Sequence, residues 1–364
     1  MTNQKFPPAI LREAMIREAS PVLLYDKTVI RKNFQSFKEA SKSVGATFSF
    51  AVKAFAHDEV FEIASEFAHG FDISNFNEWK KVRTHYRPEH IVWFTNGKYV
   101  RELDHIMNEV GHDSLRVILN DVEDYKIIKD RKVKYLVRLC TSSFLQQSLE
   151  SRFGISTAEL TDIRDELLKD PLFCGFHIHQ GVEDNNFEIM KQLQSEIKKY
   201  LAPFKDRNLT INFGGGFHHF SQEELLAALN FLKGSFNIHI EPGRAFFKNA
   251  GYALTPIEKF IYSGKALRIF TPLSFSAHLK WSVPSLAGVI NLSENTTSLM
   301  VNEIMVEGPT CYEYDRIRGI DLKDSVTISD KSFLVLANIS GYSREWNTSF
   351  NGIDLCDIKF FSSK

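Results

Sequence analysis

The 364-residue chain is short of several things. Its four cysteines, Cys140, Cys174, Cys311 and Cys356, lie far apart and show no CxxC spacing. That excludes a disulfide framework or a cysteine zinc site and suits a reducing compartment, so the cytoplasm is the expected location. No apolar span reaches the roughly 18 residues that a membrane-crossing helix needs. The formal net charge is only −1, which offers nothing to nucleic acid or to an anionic membrane surface. The opening stretch MTNQKFPPAILREAMIREAS has acidic residues, two prolines and no long apolar core, so it does not read as a signal peptide. There is no low-complexity linker. What is present is ordinary globular composition, 43% hydrophobic and 24% charged, with 31 phenylalanines that read as core filling. The length exceeds a typical single compact domain, so two domains, or a large barrel with an addition, are expected.

The first two-thirds alternates regularly. Eight short β-rich runs appear: TFSFAVK (47–53), GFDIS (70–74), HIVWFTN (90–96), LRVILND (115–121), KYLVRLC (134–140), CGFHIHQ (174–180), LTINFGG (209–215) and NIHIEPG (237–243). Helical patterns separate most of them. In HDEVFEIASEFAHG, Val60, Ile63, Ala64 and Phe67 fall at helical spacing and Gly70 reads as the stop. Ser156 with Glu159, and Ser221 in SQEE, read as capping boxes. Eight strand–helix alternations predict a (β/α)8 barrel, with a doubly wound sheet as runner-up. A barrel demands that chemistry gather at the C-terminal ends of its strands. Lys53, Asp72, Asn96, Asn120, His177, His179, Gly214–Gly216 and Glu241 all lie at or just past such ends. After about residue 250 the rhythm turns β-rich with little helix, which predicts a separate all-β domain. SPVLLYDK, near the N-terminus, is placed to add a strand to it. The expected boundaries are 28–248 for the barrel and 1–27 plus 249–364 for the β domain.

Several residues invite chemical readings beside plainer ones. Lys53 closes the apolar run FSFAV, either as a solvated strand end or as a lysine held to form a Schiff base. Gly214, Gly215 and Gly216 after the seventh run would let backbone N–H groups cradle a phosphate, or simply make a tight turn. Glu241 and Arg244 in EPGR could meet a ring nitrogen and a phosphate, or lie in a surface turn. His177 and His179 share one side of a strand, but no carboxylate or histidine cluster makes metal binding specific, and no metal is expected. One of them fits better as a ring stacked on a planar cofactor. Cys311 in EGPTCYEYD is a buried small hydrophobe, or else an acid or nucleophile in a polar turn.

In this order the pieces resemble the fold-type III pyridoxal-phosphate decarboxylases, the family of ornithine, diaminopimelate and carboxynorspermidine decarboxylases. AVKA around Lys53, GFDIS, GGG, EPGR, GPTC and FNG carry the resemblance, which spans nearly the whole chain. It implies an alanine racemase-like barrel followed by a C-terminal β-sandwich or barrel domain, pyridoxal 5'-phosphate as cofactor, and a homodimer with shared active sites. It implies that Lys53 holds the cofactor as a Schiff base, with Asp72 among its contacts, and that His177 stacks on the pyridine ring. Gly214, Gly215 and Gly216 would bind the phosphate, helped by Arg244 and Tyr342. Glu241 would pair with the pyridine nitrogen and keep it protonated, which favours decarboxylation over the racemisation of related enzymes that place an arginine there. Cys311 would be the proton donor, contributed across a dimer interface, with Phe350 and Asn351 near the shared site. Lys53 must be neutral to attack an aldehyde, so burial beside the cofactor should favour its uncharged form.

The chain also departs from the family. Ornithine-type enzymes carry an acidic residue directly after the cysteine; here Tyr312 stands there, and Glu313 follows. Where they read HVGSG, this chain reads HIHQG, so Gln180 replaces a serine near the phosphate. KAFA (53–56), KNAGYAL (248–254) and LSFSAHLKWSVPS (273–285) resemble the carboxynorspermidine branch, whereas Arg244 follows the ornithine pattern. The expected reaction is decarboxylation of an α-amino acid with a long polar or amine-bearing side chain, giving an amine and carbon dioxide. Polyamine synthesis, or a tailoring step in a siderophore or antibiotic pathway, would use it. Tyr312, Glu313, Asp315 and Phe350, and also His218 and His219, are candidate substrate contacts. A racemase on the same scaffold, or a non-catalytic regulatory homologue, are the competing readings.

Overall fold

The computed structural model describes residues 6–17, 19–95, 102–145, 151–179, 187–230, 236–329 and 331–363. Asn96 and Gln180 fall outside the described residues. The chain divides into two compact units. One is Asn33–Phe246; the other joins Met1–Lys32 to Phe247–Lys364.

The first unit is a parallel barrel whose strands correspond one for one to the eight apolar runs. Strand β1 comes in two pieces, Thr47–Phe48 and Phe50–Ala51; the others are β2 Gly70–Ile73, β3 Ile91–Thr95, β4 Leu115–Leu119, β5 Lys134–Leu139, β6 Phe173–Ile178, β7 Thr210–Asn212 and β8 Asn237–Ile240. Every neighbouring pair is parallel. The first piece of β1 pairs with β8 and the second with β2, so the sheet closes on itself through Ser49. Closure leaves no open edge, and helices outside bury the strands' outer faces, which is why the strands read as apolar runs rather than as alternations. Both capping boxes are formed: Glu159 N–H donates to Ser156 Oγ at 3.3 Å and Glu224 N–H to Ser221 Oγ at 3.2 Å, with the carboxylates answering at 2.8 Å.

The phenylalanines fill this unit's core, as expected. Phe34 stacks on Phe246 at 3.7 Å, and Phe48 and Phe50 lean on the same ring at 5.8 and 5.9 Å. Inside the barrel, His239 lies flat on Trp93 at 4.1 Å, with Thr47 and Ser49 hydroxyls at its two nitrogens (2.7 and 3.0 Å). Burial pushes this imidazole well below its ordinary pKa, so it serves as a neutral spacer under the mouth.

Gly70 corrects one expectation. The helix Asp58–Phe67 ends before it, and Gly70 opens β2. A Cβ at Gly70 would lie 1.8 Å from the Ile91 carbonyl oxygen, so the glycine answers to a close strand contact rather than to a helix stop.

The second unit is mostly β. A five-stranded sheet runs Ser285–Asn291, Ser332–Ala337, Gly251–Pro256, Val22–Asp26, Asp357–Phe361 in spatial order. The N-terminal strand is fully buried and flanked on both sides, antiparallel to Gly251–Pro256 and parallel to the edge strand Asp357–Phe361. Helix Pro8–Ile16 packs Ile10 and Ala14 onto Val22, Leu24, Leu254 and Val335. A four-stranded sheet contains Lys259–Ser263, Ala266–Phe270, Thr296–Glu307 and Arg316–Ser329. Asn291 Nδ2 donates to the Thr327 carbonyl at 3.1 Å and ties one sheet to the other.

Candidate active site

In the barrel unit, Lys53, Asp72, His177 and Glu241 come together at the C-terminal end of the strands. Lys53 is not the last residue of β1: the strand stops at Ala51, and Val52–Ala54 makes a single 3-10 turn that presents the lysine. Its Nζ donates to Asp72 Oδ2 at 3.2 Å, while Thr95 Oγ1 donates to Asp72 Oδ1 at 2.8 Å. The Lys53 side chain is 37% exposed against 0% for Asp72. A buried carboxylate thus holds a partly exposed amine.

Glu241 follows β8. Asn212 Nδ2 donates to Glu241 Oε1 at 2.6 Å, and His177 Nε2 stands 3.3 Å from Oε2. Both His177 and Glu241 are buried. Burial, followed by the charge of Arg138, drives the His177 imidazole well below its ordinary pKa, so the neutral ring donates Nε2–H to Glu241. Its Nδ1 is buried and has no hydrogen-bond partner among the described residues. Burial also raises the carboxyl pKa of Glu241, opposed by Lys53, the Asn212 bond and Arg138. Asp72 is likewise raised, first by burial and then by Glu241.

Asn212 also accepts the Gly214 N–H at 2.9 Å, and Glu241 N–H donates to the Gly214 carbonyl at 2.7 Å, so the glycine loop and the carboxylate are one construction. Gly214 has φ +59°, and a Cβ there would lie 2.7 Å from the His179 ring. This close approach requires glycine. His179 thus packs against the loop, and its ring lies 6.2 Å from that of His177. Beyond the loop, Arg244 Nη1 donates to His218 Nε2 at 3.2 Å. Asn120 accepts the Gly154 N–H at 3.1 Å and supports the loop after β5.

Three groups escaped the sequence reading. Asn212, which joins Glu241 to the glycines, sat unremarked in TINFGGG. Arg138, in β5, interacts electrostatically with both Glu241 and Asp72, and burial lowers its pKa to about 10. An arginine inside the apolar run KYLVRLC was the available signal.

Glu78 is a third. Its N–H is capped by Asn75 Oδ1 at 2.9 Å, and its own Oε2 accepts the Ser74 N–H at 2.7 Å. Burial pushes its carboxyl from the ordinary 4.5 up to about 7, and it feels the charges of Asp72 and Lys53. A raised acid binds its proton more tightly in the folded chain, so this contribution to stability is whole below about 4.5 and is lost as pH rises towards 7. Glu78→Gln keeps an acceptor for Ser74 and is expected to flatten the decline of melting temperature over that window. An unchanged slope in thermal melts from pH 4.5 to 7 would refute the assignment.

In the β unit, Gly308–Asp315 forms a closed loop. Gly308 N–H donates to the Asp315 carbonyl at 2.7 Å, and Asp315 N–H to that of Tyr312 at 2.9 Å. Cys311 is the exposed one of the four cysteines, and its N–H donates to Asn351 Oδ1 at 2.8 Å. Tyr312 is exposed and faces Tyr314 and Phe350, with ring centroids 5.5 and 6.5 Å away. Exposed Glu313 pairs with Arg316. Asp315 is not exposed. It is 3% accessible and accepts from Ser274 Oγ, Phe275 N–H, Ser276 N–H and Oγ, and Thr310 N–H and Oγ1. Burial alone would raise this carboxyl, yet the bonds from Thr310, Ser276 and Ser274 hold it below its ordinary pKa. A carboxylate so enclosed builds the turn. Half-buried Tyr342 opens the short helix Tyr342–Glu345 in the same unit, its N–H 3.3 Å from Ser340 Oγ.

The barrel constellation fits pyridoxal phosphate. It offers a primary amine at an open mouth, a buried carboxylate, a neutral aromatic ring with an unmatched nitrogen, and a glycine loop with a neighbouring arginine. Comparisons with known proteins agree. The chain is 22% identical over 354 residues to a carboxynorspermidine/carboxyspermidine decarboxylase of Herminiimonas arsenicoxydans, covering 93% of this chain and 92% of the relative. The fold matches that of carboxynorspermidine decarboxylase from Campylobacter jejuni complexed with norspermidine (TM-score 0.70, 20% identity, 95% and 94% of the two chains). It also matches that of diaminopimelate decarboxylase from Helicobacter pylori complexed with L-lysine (TM-score 0.78, 16% identity, 97% and 94%). The family described as pyridoxal-dependent decarboxylase, pyridoxal binding domain, matches residues 27–248, well over half of the chain, and to that family of pyridoxal-phosphate enzymes the protein belongs.

Proposed function

We propose that this chain decarboxylates an α-amino acid with a long polar or amine-bearing side chain, through a Schiff base at Lys53, yielding an amine and carbon dioxide. The observation that carries it is the Lys53–Asp72 pair set beside the Glu241–His177–Asn212 cluster. When bound, pyridoxal phosphate supplies an electron sink for the charge left at Cα as carbon dioxide departs. The protein's groups do the rest. Asp72 Oδ2 is the atom positioned to receive the proton that Lys53 Nζ must lose before it can attack an aldehyde. Glu241 is oriented by Asn212 and His177 so that a carboxylate, rather than a cation, faces the ring nitrogen. The loop Gly214–Gly216, with Arg244 and Tyr342, would hold the phosphate, and the flat face of His177 would support the ring.

Cys311 would return the proton to Cα, supplied by the second subunit of a homodimer that shares its active sites. Tyr312, Glu313 and Phe350 would border the substrate. The cofactor domain would span 28–248 and the β domain 1–27 plus 249–364. The cytoplasm would be its location. No helix among the described residues is long and apolar enough to cross a membrane. Tyr312 in place of an acidic residue speaks against plain ornithine or lysine, and the named relatives favour a carboxylated polyamine over a siderophore or antibiotic precursor. A racemase on this scaffold is the alternative, and Glu241 argues against it.

The test is carbon dioxide release by purified protein with pyridoxal phosphate. The panel holds L- and D-ornithine, lysine, arginine, meso-diaminopimelate, 2,4-diaminobutyrate and carboxynorspermidine, with mass detection of the amine and chiral assay of recovered substrate. Release from carboxynorspermidine is the expected result. Racemised substrate without carbon dioxide would overturn the proposal.

A further inference from the structure

The geometry points to Asp315 as the positioning residue for Cys311, holding the cysteine's turn at the one place where its thiol can deliver a proton. The inference rests on the proton-donor reading of Cys311 and adds a residue that would touch neither substrate nor cofactor.

Asp315 joins two segments that the sequence keeps apart. Oδ1 takes four donors from the stretch before and within the short helix Phe275–His278: Ser274 Oγ (2.9 Å), Phe275 N–H (2.6 Å), Ser276 N–H (3.0 Å) and Ser276 Oγ (3.1 Å). Oδ2 takes two from Thr310, the residue directly before the cysteine, by N–H (3.2 Å) and Oγ1 (2.7 Å). Gly308 has no side chain because a Cβ there would lie 2.4 Å from Asp315 Oδ2. On the far side of the cysteine, Asn351 accepts the Cys311 N–H at 2.8 Å from a left-handed conformation, φ +62°. Thr310 and the Cys311 N–H are therefore pinned, the Tyr312 carbonyl after them accepts from Asp315 N–H, and the cysteine itself stays exposed. A buried charge that satisfies six donors is a rigid joint, because removing it takes the acceptor from all six at once. Proton delivery falls off steeply when the donor strays from hydrogen-bond reach, so fixing the turn acts on the chemical step rather than on substrate affinity.

The experiment compares Asp315→Asn, Thr310→Ala and Thr310→Ser holoenzymes with wild type. Asp315→Asn turns one acceptor oxygen into an amide donor facing other donors, which opens the joint. Thr310→Ala removes the hydroxyl link alone, and Thr310→Ser restores it. Cys311 alkylation by iodoacetamide, followed by mass spectrometry, is expected to quicken roughly threefold or more in Asp315→Asn. Its kcat should fall about tenfold with KM within about twofold. Thr310→Ala should move both readouts the same way by less, and Thr310→Ser should return them to wild-type values. Should Asp315→Asn fail to fold, the contrast between Thr310→Ala and Thr310→Ser decides. Unchanged alkylation and kcat in Asp315→Asn, beside a defective Cys311→Ala, would overturn this inference alone. A Cys311→Ala enzyme with wild-type kcat and products would overturn the reading beneath it.

Discussion

Lys53→Ala is expected to abolish turnover, by roughly a thousandfold or more, together with the Schiff-base absorbance of the bound cofactor. The residue supplies the amine that Asp72 holds, and alanine has none to form the covalent link. Lys53→Arg sharpens the test. A guanidinium keeps the charge that faces Asp72 but does not deprotonate, so it cannot attack an aldehyde. Both variants should fold, because the lysine head is partly exposed and the core around Phe34 and Phe246 does not depend on it. With arginine the pairing of Asp72 survives, whereas with alanine a buried carboxylate loses its cation. Arginine should therefore be the more stable of the two and equally inactive. Wild-type turnover in either variant would remove Lys53 from the chemistry.

Cys311→Ala is the second large effect. A positioned general acid contributes about 10²–10⁴-fold, and loss of that order in amine formation is expected. The products should shift too. Without a donor held by this chain at Cα, a larger share of turnovers should release an aldehyde in place of the amine. The amine-to-aldehyde ratio measured with the preferred substrate is thus the decisive number. Cys311→Ser should fall between, since a hydroxyl is a poorer acid than a thiol. An unchanged rate and ratio in Cys311→Ala would exclude the cysteine from the mechanism. The exposure of Cys311, with the other three cysteines buried or half-buried, makes its selective modification a parallel check.

Much of the architecture was legible because strands buried on both faces must be apolar throughout, and eight such runs with helices between them fit few folds. The capping boxes at Ser156 and Ser221 were legible because each is a local bargain over four residues. Gly70 was misread because its constraint comes from Ile91, on the next strand. The surroundings of Lys53, Glu241 and Cys311 depend on similar distant partners. Asn212 serves Glu241 from another strand end, and Arg138 acts on the same carboxylate from β5. Asp315 looked like a free carboxylate beside a reactive cysteine because Ser274 and Ser276, some forty positions earlier, give no local hint that they point at it. Type and order of residues identify the cofactor's handles only where one rigid molecule imposes the pattern. Enclosure, pairing and exposure are properties of the folded chain.

The strand Val22–Asp26 carries one more consequence, for the order in which the protein can be made. It lies between Gly251–Pro256 and Asp357–Phe361, and its register partner Asp357 stands 335 positions after Val22. During synthesis at roughly 5–20 residues per second, a fully apolar VLLY segment waits on the order of half a minute for its second neighbour. The barrel's strands all emerge before that wait ends. A nascent chain therefore has an interval in which one unit can close while the other keeps a sticky edge open. A chain truncated before Asp357 leaves the Val22–Asp26 strand without one flank, and such a product should aggregate even though its barrel is complete.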